Sequence, residues 1–209
     1  MEIEKTDLTI KIVLVGESSV GKTNLLLRYS ENRFDQESKA TIGMDFVSVN
    51  RTSMGQKVKA QFWDTAGQEK YKALSASYYK ITNGVILVYD VSRRESFNRV
   101  VSWLNDLTMN APRGVQKMLI GNKIDTEREV STEEGRKFAK DNNMFFFETS
   151  AKTNHDQCVN VAFDIVVEEC VKELVAQNEK NKSIDYNEIK HSVIALEDPT
   201  QSDPKPCPC

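Results

Sequence analysis

The sequence predicts a three-layer α/β domain: a six-stranded, mostly parallel sheet with one antiparallel edge strand, flanked by five helices. Four short segments, "IKIVLVG" (10–16), "GVILVYD" (84–90), "VQKMLIG" (115–121) and "MFFFE" (144–148), are almost continuously apolar. Strands buried on both faces of a parallel sheet have that composition. A fifth and a sixth segment, "DFVSVN" and "KVKAQFWD", instead alternate, with Val47 and Val49 on one face and Val58, Ala60 and Phe62 doing the same in the partner. With "SMGQ" as the turn they read as a hairpin, which supplies the antiparallel edge.

In chain order, the first strand ends at Gly16 and a helix is predicted over 22–30. The hairpin follows, then a helix over 69–79, the second apolar strand, and a helix over 95–109. After the third apolar strand, Ser131 and Glu134 form a capping box that opens a helix over 131–142. The last helix, over 155–178, repeats Val159, Ala162, Phe163, Val166, Cys170, Val171 and Leu174 at helical spacing. Past 178 the pattern fails. The division expected is a folded domain over 1–178, a flexible tail over 179–206 and a terminal Cys-Pro-Cys over 207–209.

Composition narrows the function. With 209 residues, 39% hydrophobic and 28% charged, the chain reads as globular. A net charge of −3 offers no basic face for nucleic acid. No apolar run approaches the roughly 18 residues of a membrane-spanning helix, and the acidic start "MEIEKTDLT" is no signal peptide. Cys158 and Cys170, twelve residues apart in one helix, would lie roughly 18 Å from each other, too far for a disulfide. A reducing compartment is the natural reading.

"GESSVGKT" (16–23) follows a strand and opens a helix, the context in which G-x-x-x-x-G-K-[ST] cradles phosphates. Backbone N–H groups of Ser18, Ser19, Val20 and Gly21 can surround the anion, aided by the helix N-terminus. Lys22 can reach the β- and γ-phosphates and Thr23 can coordinate Mg²⁺. "DTAGQ" then places Asp64 at a strand's C-terminal end, able to hold the magnesium. Gly67 can offer its N–H to a γ-phosphate and Gln68 can orient the attacking water. "NKID" (Asn122, Lys123, Asp125) and "TSAK" (Ser150, Ala151, Lys152) follow the next two strands. The Asp125 carboxylate can accept from guanine N1–H and N2–H₂, and the Ala151 N–H can bond O6. Adenine would leave that acceptor unpaired, a penalty of roughly 1–3 kcal/mol or more.

With these four motifs the chain resembles the Ras superfamily of small GTPases, and over residues 8–176 it is similar to Rab proteins in "IGMDF", "WDTAGQEKY", "SYYK" and "LVYDVS". "LLLRY", "VSRRESF" and "MLIGNKID" resemble the Rab branch associated with endoplasmic reticulum and lipid droplets. The resemblance implies a P-loop GTPase domain that binds GTP or GDP with Mg²⁺. It implies Thr41 as a further Mg²⁺ ligand in the GTP state, Phe34 against the guanine, and an effector surface of Ile42, Phe46, Trp63 and Tyr78. Departures are Ser18 and Ser19 where many relatives keep glycine, "YYKITNG", and Lys70 beside Gln68. No arginine stands at a motif position, so hydrolysis is expected to be slow and to need a GTPase-activating protein, with Gln68, Lys22 and Thr41 as the catalytic set.

Cys207 and Cys209 resemble the Rab signal for two geranylgeranyl groups, and two chains anchor stably where one does not. Escort protein and prenyl transferase, GDP-dissociation inhibitor, exchange factor and GTP-state effectors are the partners implied. The expected place is the cytoplasmic face of an intracellular membrane, in exchange with a cytosolic pool. The tail is not polybasic, so lipid charge contributes little. A nucleotide-fixed adaptor and a P-loop kinase or ATPase are the competing readings; Gln68 opposes the first and "NKID" the second.

Overall fold

The computed structural model describes residues 7–37, 41, 44–65 and 79–194. Its strands are β1 (Leu8–Val15), β2 (Met44–Ser53), β3 (Gln56–Thr65), β4 (Gly84–Asp90), β5 (Gln116–Asn122) and β6 (Phe145–Thr149). They form one sheet in the order β2-β3-β1-β4-β5-β6. β2 runs antiparallel to β3, with Phe46 opposite Trp63 and Val49 opposite Ala60, and every other pairing is parallel. The predicted mixed sheet is therefore the observed one. β4 is buried at all its positions, as a continuously apolar run at the sheet centre must be. β3 alternates, burying Val58, Ala60 and Phe62.

Among the described residues four α-helices accompany the sheet: α1 (Lys22–Glu31), α2 (Arg94–Asn110), α3 (Thr132–Asp141) and α4 (Cys158–Ile194). The helix predicted over 69–79 lies, apart from Tyr79, outside the described residues. The capping box is formed: the Ser131 hydroxyl accepts from the Glu134 N–H and the Glu134 carboxylate accepts from the Ser131 N–H.

The end of α4 differs from expectation. The helix was predicted to stop at 178 and runs to Ile194. Residues 174–194 contain no proline or glycine, so nothing in the backbone stops the helix where the apolar stripe ends. Periodicity reports a packed face and is blind to such a continuation. The chain divides at this helix into a unit Met1–Glu173, which holds the sheet, and a unit Leu174–Cys209, helical as far as Ile194.

One layer packs Trp103, Leu104 and Leu107 of α2 over Val85, Leu87 and Tyr89 of β4. On the other, Tyr29, Phe62 and Phe163 cluster with ring centroids 4.8–5.4 Å apart. Gly84 lets α4 close onto the sheet, since a Cβ there would come within 2.6 Å of the Cys170 sulfur. Burial pushes the Cys170 thiol up to about 12, which leaves it inert. Both Cys158 and Cys170 are free thiols.

The Tyr89 hydroxyl is buried with no partner among the described residues. It fits between two glycines: a Cβ would lie 2.7 Å from it on Gly121 and 2.5 Å on Gly135, the latter also 2.7 Å from the Phe146 ring. Gly135→Ala gains about 1 kcal/mol of helix propensity but overpacks this contact, so a net loss of about 1–3 kcal/mol is expected by urea unfolding. Tyr89→Phe alone leaves stability unchanged or higher, because the lost hydroxyl was unpaired, and it recovers part of the Gly135→Ala loss. A raised midpoint for Gly135→Ala in the wild-type background would contradict this packing.

Candidate nucleotide site

The phosphate cradle is the loop between β1 and α1. Gly16 (φ 145°) and Gly21 (φ 96°) occupy backbone regions that favour glycine. A Cβ on Gly16 would strike the Val88 carbonyl, and one on Gly21 the Asn122 amide. Five successive carbonyls of the loop accept side-chain donors. Lys22 Nζ donates to Gly16 O and Glu17 O, both at 2.9 Å. Arg93, Lys123 and Asn122 donate to the carbonyls of Ser18, Ser19 and Val20, each at 2.8 Å. A loop whose carbonyls are so engaged leaves its N–H groups to meet an anion. Burial pulls the Lys22 ammonium down to about 8; a phosphate beside it would raise it again.

At the start of α1 three oxygens converge. The Thr23 hydroxyl donates to Asp64 Oδ2 at 2.6 Å and lies 3.0 Å from the Thr41 hydroxyl, which is 3.4 Å from the same carboxylate oxygen. Burial pushes the Asp64 carboxyl above its usual range. Its second oxygen, Oδ1, is buried without a partner among the described residues. A hard dication is what this all-oxygen set fits: it would satisfy the orphaned oxygen and hold the carboxylate ionised.

The base side rests on β5 and β6. Asn122, 1% exposed, joins both motifs to the cradle: its amide donates to Val20 O, and its oxygen accepts from the Thr149 hydroxyl and the Ala151 N–H, both at 3.3 Å. The Ala151 N–H, expected to meet guanine O6, is thus turned to Asn122 through a long bond. Ser150 donates to Asp125 Oδ1 at 2.5 Å and so orients that carboxylate.

These parts enclose one cavity of about 370 Å³. Ser18, Ser19, Gly21, Lys22 and Thr23 line it from the cradle, Phe34 and Thr41 from the segment after α1, and Asn122, Lys123, Asp125, Ala151 and Lys152 from the far side. Val20 and Ser150 are buried behind it, and Asp64 sits behind Thr23. Gly67, Gln68, Ile42, Tyr78, Cys207 and Cys209 lie outside the described residues. Phe46 and Trp63 stack at 5.2 Å on the β2–β3 edge, with Phe46 51% exposed.

Sequence reasoning missed four side chains. Asp90 binds the Lys123 ammonium at 2.7 Å. Burial pushes its carboxyl up, but the bonds from Lys123 and Ser92 outweigh this and hold it below the usual range. Arg28 donates to the carbonyls of Ala151 and Lys152. Asn24 pairs with both backbone groups of Asp35, next to Phe34. Arg93 reaches Ser18. Their partners are distant in sequence for all but Asn24, so no local motif carries them.

The family model described as "Ras family" matches residues 11–172. Among curated proteins, Rab-18 of Lymnaea stagnalis is 49% identical over 174 residues, 82% of this chain and 85% of its own. The chain belongs to the Rab GTPases of the Ras family. RABA5d of Arabidopsis thaliana is 47% identical over 75% of this chain and 72% of its own, and Rab-18-B of Danio rerio 47% over 78% and 80%. As a Rab GTPase it binds GTP and GDP with Mg²⁺, hydrolyses GTP, and belongs to the machinery of membrane traffic. Among the described residues no helix is long and apolar enough to cross a membrane.

Proposed function

We propose that this Rab is a membrane-anchored switch, ordered by GTP and released by hydrolysis, that recruits effectors in the GTP state. The observation that carries this is the single cavity shared by the cradle, Thr41 and the two base-side motifs. A bound nucleotide would touch all of them at once.

The geometry of the described residues supports a role for each of them. Asp125 reads the guanine edge while Ser150 holds it; Lys123 and Lys152 pack their stems beside the base. Lys22 and the loop N–H groups bind the phosphates. Thr23, Thr41 and Asp64 would hold Mg²⁺, which neutralises phosphate charge when bound. Thr41 is 3.0 Å from Thr23, so the segment that bears it answers to what occupies the metal site. Gln68, which follows the Asp64 strand, would orient the attacking water, with Gly67 at the γ-phosphate. Slow turnover awaiting an activating protein's arginine is consistent with a lining that includes no arginine among the described residues.

The exposed Phe46 beside Trp63 supports an effector surface completed by Ile42 and Tyr78. Cys207 and Cys209 would carry two geranylgeranyl groups after capture by escort protein and prenyl transferase. A GDP-dissociation inhibitor and an exchange factor would then cycle the protein between cytosol and the cytoplasmic face of an intracellular membrane. In this reading the GTPase domain is 1–178, the tail 179–206 and the lipid signal 207–209.

The test is a competition of GTP against ATP for the cavity, followed by single-turnover hydrolysis. GTP should displace labelled GDP and ATP should not, which separates the switch from a kinase or ATPase. Gln68→Leu should then abolish hydrolysis while GTP stays bound. Hydrolysis by Gln68→Leu at the wild-type rate would sink this mechanism; none in the wild type with an activating protein would make it a fixed adaptor.

A further inference from the structure

We infer that Arg93 is a positioning residue of the phosphate cradle, holding the Ser18–Ser19 peptide so that the Ser19 N–H faces the phosphates. The inference rests on the reading of the cavity as a guanine-nucleotide site.

Arg93 lies 75 residues from Ser18 in sequence, just before α2, and donates through Nη2 to Ser18 O at 2.8 Å. It does not line the cavity, whereas Ser18 and Ser19 do. Its contact therefore comes from behind the loop. In a planar trans peptide the C=O and N–H point in opposite directions. A bond that draws Ser18 O away from the cavity turns the Ser19 N–H toward it.

This peptide needs holding more than its neighbours do. Ser19 has φ 63°, left-handed backbone that glycine adopts freely and serine only at a cost. Relaxing Ser19 would rotate the peptide and bring a carbonyl dipole toward the phosphates. The neighbouring carbonyls of Gly16, Glu17, Ser19 and Val20 are tied by Lys22, Lys123 and Asn122, all within the recognised motifs. Arg93 alone completes the set from outside them.

The arginine is itself held. Its N–H donates to Asp90 O and its carbonyl accepts from Ser96, which bonds Asp90 in turn. Asp90 also carries the Lys123 that ties Ser19 O. The two tethers on either side of Ser19 thus share one anchor at the end of β4. The Nε–H of Arg93 is buried without a partner among the described residues, a cost that an incidental surface contact would not sustain.

The experiment measures release of fluorescent GDP, with Mg²⁺ held constant, from the full chain and from Arg93→Ala, Arg93→Gln and Arg93→Lys. It also records the phosphorus NMR spectrum of bound GDP and the unfolding midpoint of each protein freed of nucleotide. Losing a charge-assisted bond predicts about tenfold faster release for Arg93→Ala and Arg93→Gln. The β-phosphate resonance should shift in both, with an unchanged midpoint, and Arg93→Lys should recover part of each effect. Release within twofold of wild type overturns the inference. So does faster release with an unshifted resonance and a lowered midpoint, which would mark a purely structural arginine. A wild-type chain that fails to retain GDP at all takes down the reading of the cavity as well.

Discussion

Asp125→Asn is expected to move the base preference from guanine to xanthine. The wild-type carboxylate only accepts, matching the N1–H and N2–H₂ donors of guanine. Ser150 already donates to one of its oxygens at 2.5 Å. In the variant that hydroxyl keeps the amide oxygen, leaving the amide NH₂ to face the base. There it meets the guanine amino group as donor against donor, but it can donate to the 2-oxo group of xanthine. Losing two charge-assisted bonds of about 1.5–3 kcal/mol each predicts GDP affinity lower by about 10²–10⁴-fold. Competition of GDP and XDP against a labelled nucleotide measures it, and a variant that holds GDP as the wild type does would exclude Asp125 from the base site.

Lys22→Met should act with opposite signs on binding and folding. The residue is 5% exposed, its ammonium ties two loop carbonyls, and it lines the cavity proposed to hold the phosphates. Truncating one member of a buried charge pair costs about 2–5 kcal/mol, so GDP affinity should fall by about 30- to 5,000-fold. In the nucleotide-free chain the same charge is a burden, as burial pulls it down to about 8. The empty variant should therefore unfold at the same or a higher urea concentration than the empty wild type. A variant that loses affinity and stability together would show that Lys22 supports the loop rather than the ligand.

The parts of this site legible in the sequence share one physical property: each is a short contiguous stretch set at the C-terminal end of a strand. A cradle needs glycine where φ is positive, a strand end presents Asp64, and the base-side motifs are loops after apolar runs. The four missed residues act on partners chosen by the fold. Arg28 meets Ala151 across 123 positions and Arg93 meets Ser18 across 75, and side-chain type alone marks neither. The reverse failure occurs in α4. There the apolar stripe of the sequence ends and the helix does not, because neither proline nor glycine intervenes.

Helix α1 lines the pocket at its start and braces the pocket wall near its other end. Lys22 and Thr23 open it at the phosphate side, and Arg28, near its other end, grips the carbonyls of Ala151 and Lys152 beside the base. Six residues of helix separate the two grips, a rise of about 9 Å that cannot stretch. The molecule therefore carries a built-in gauge. In the proposed complex base and phosphates would be recognised by chemistry, and their spacing checked against a length of hydrogen-bonded backbone. One residue added to α1 would turn Arg28 by about 100° and leave that gauge without its far jaw.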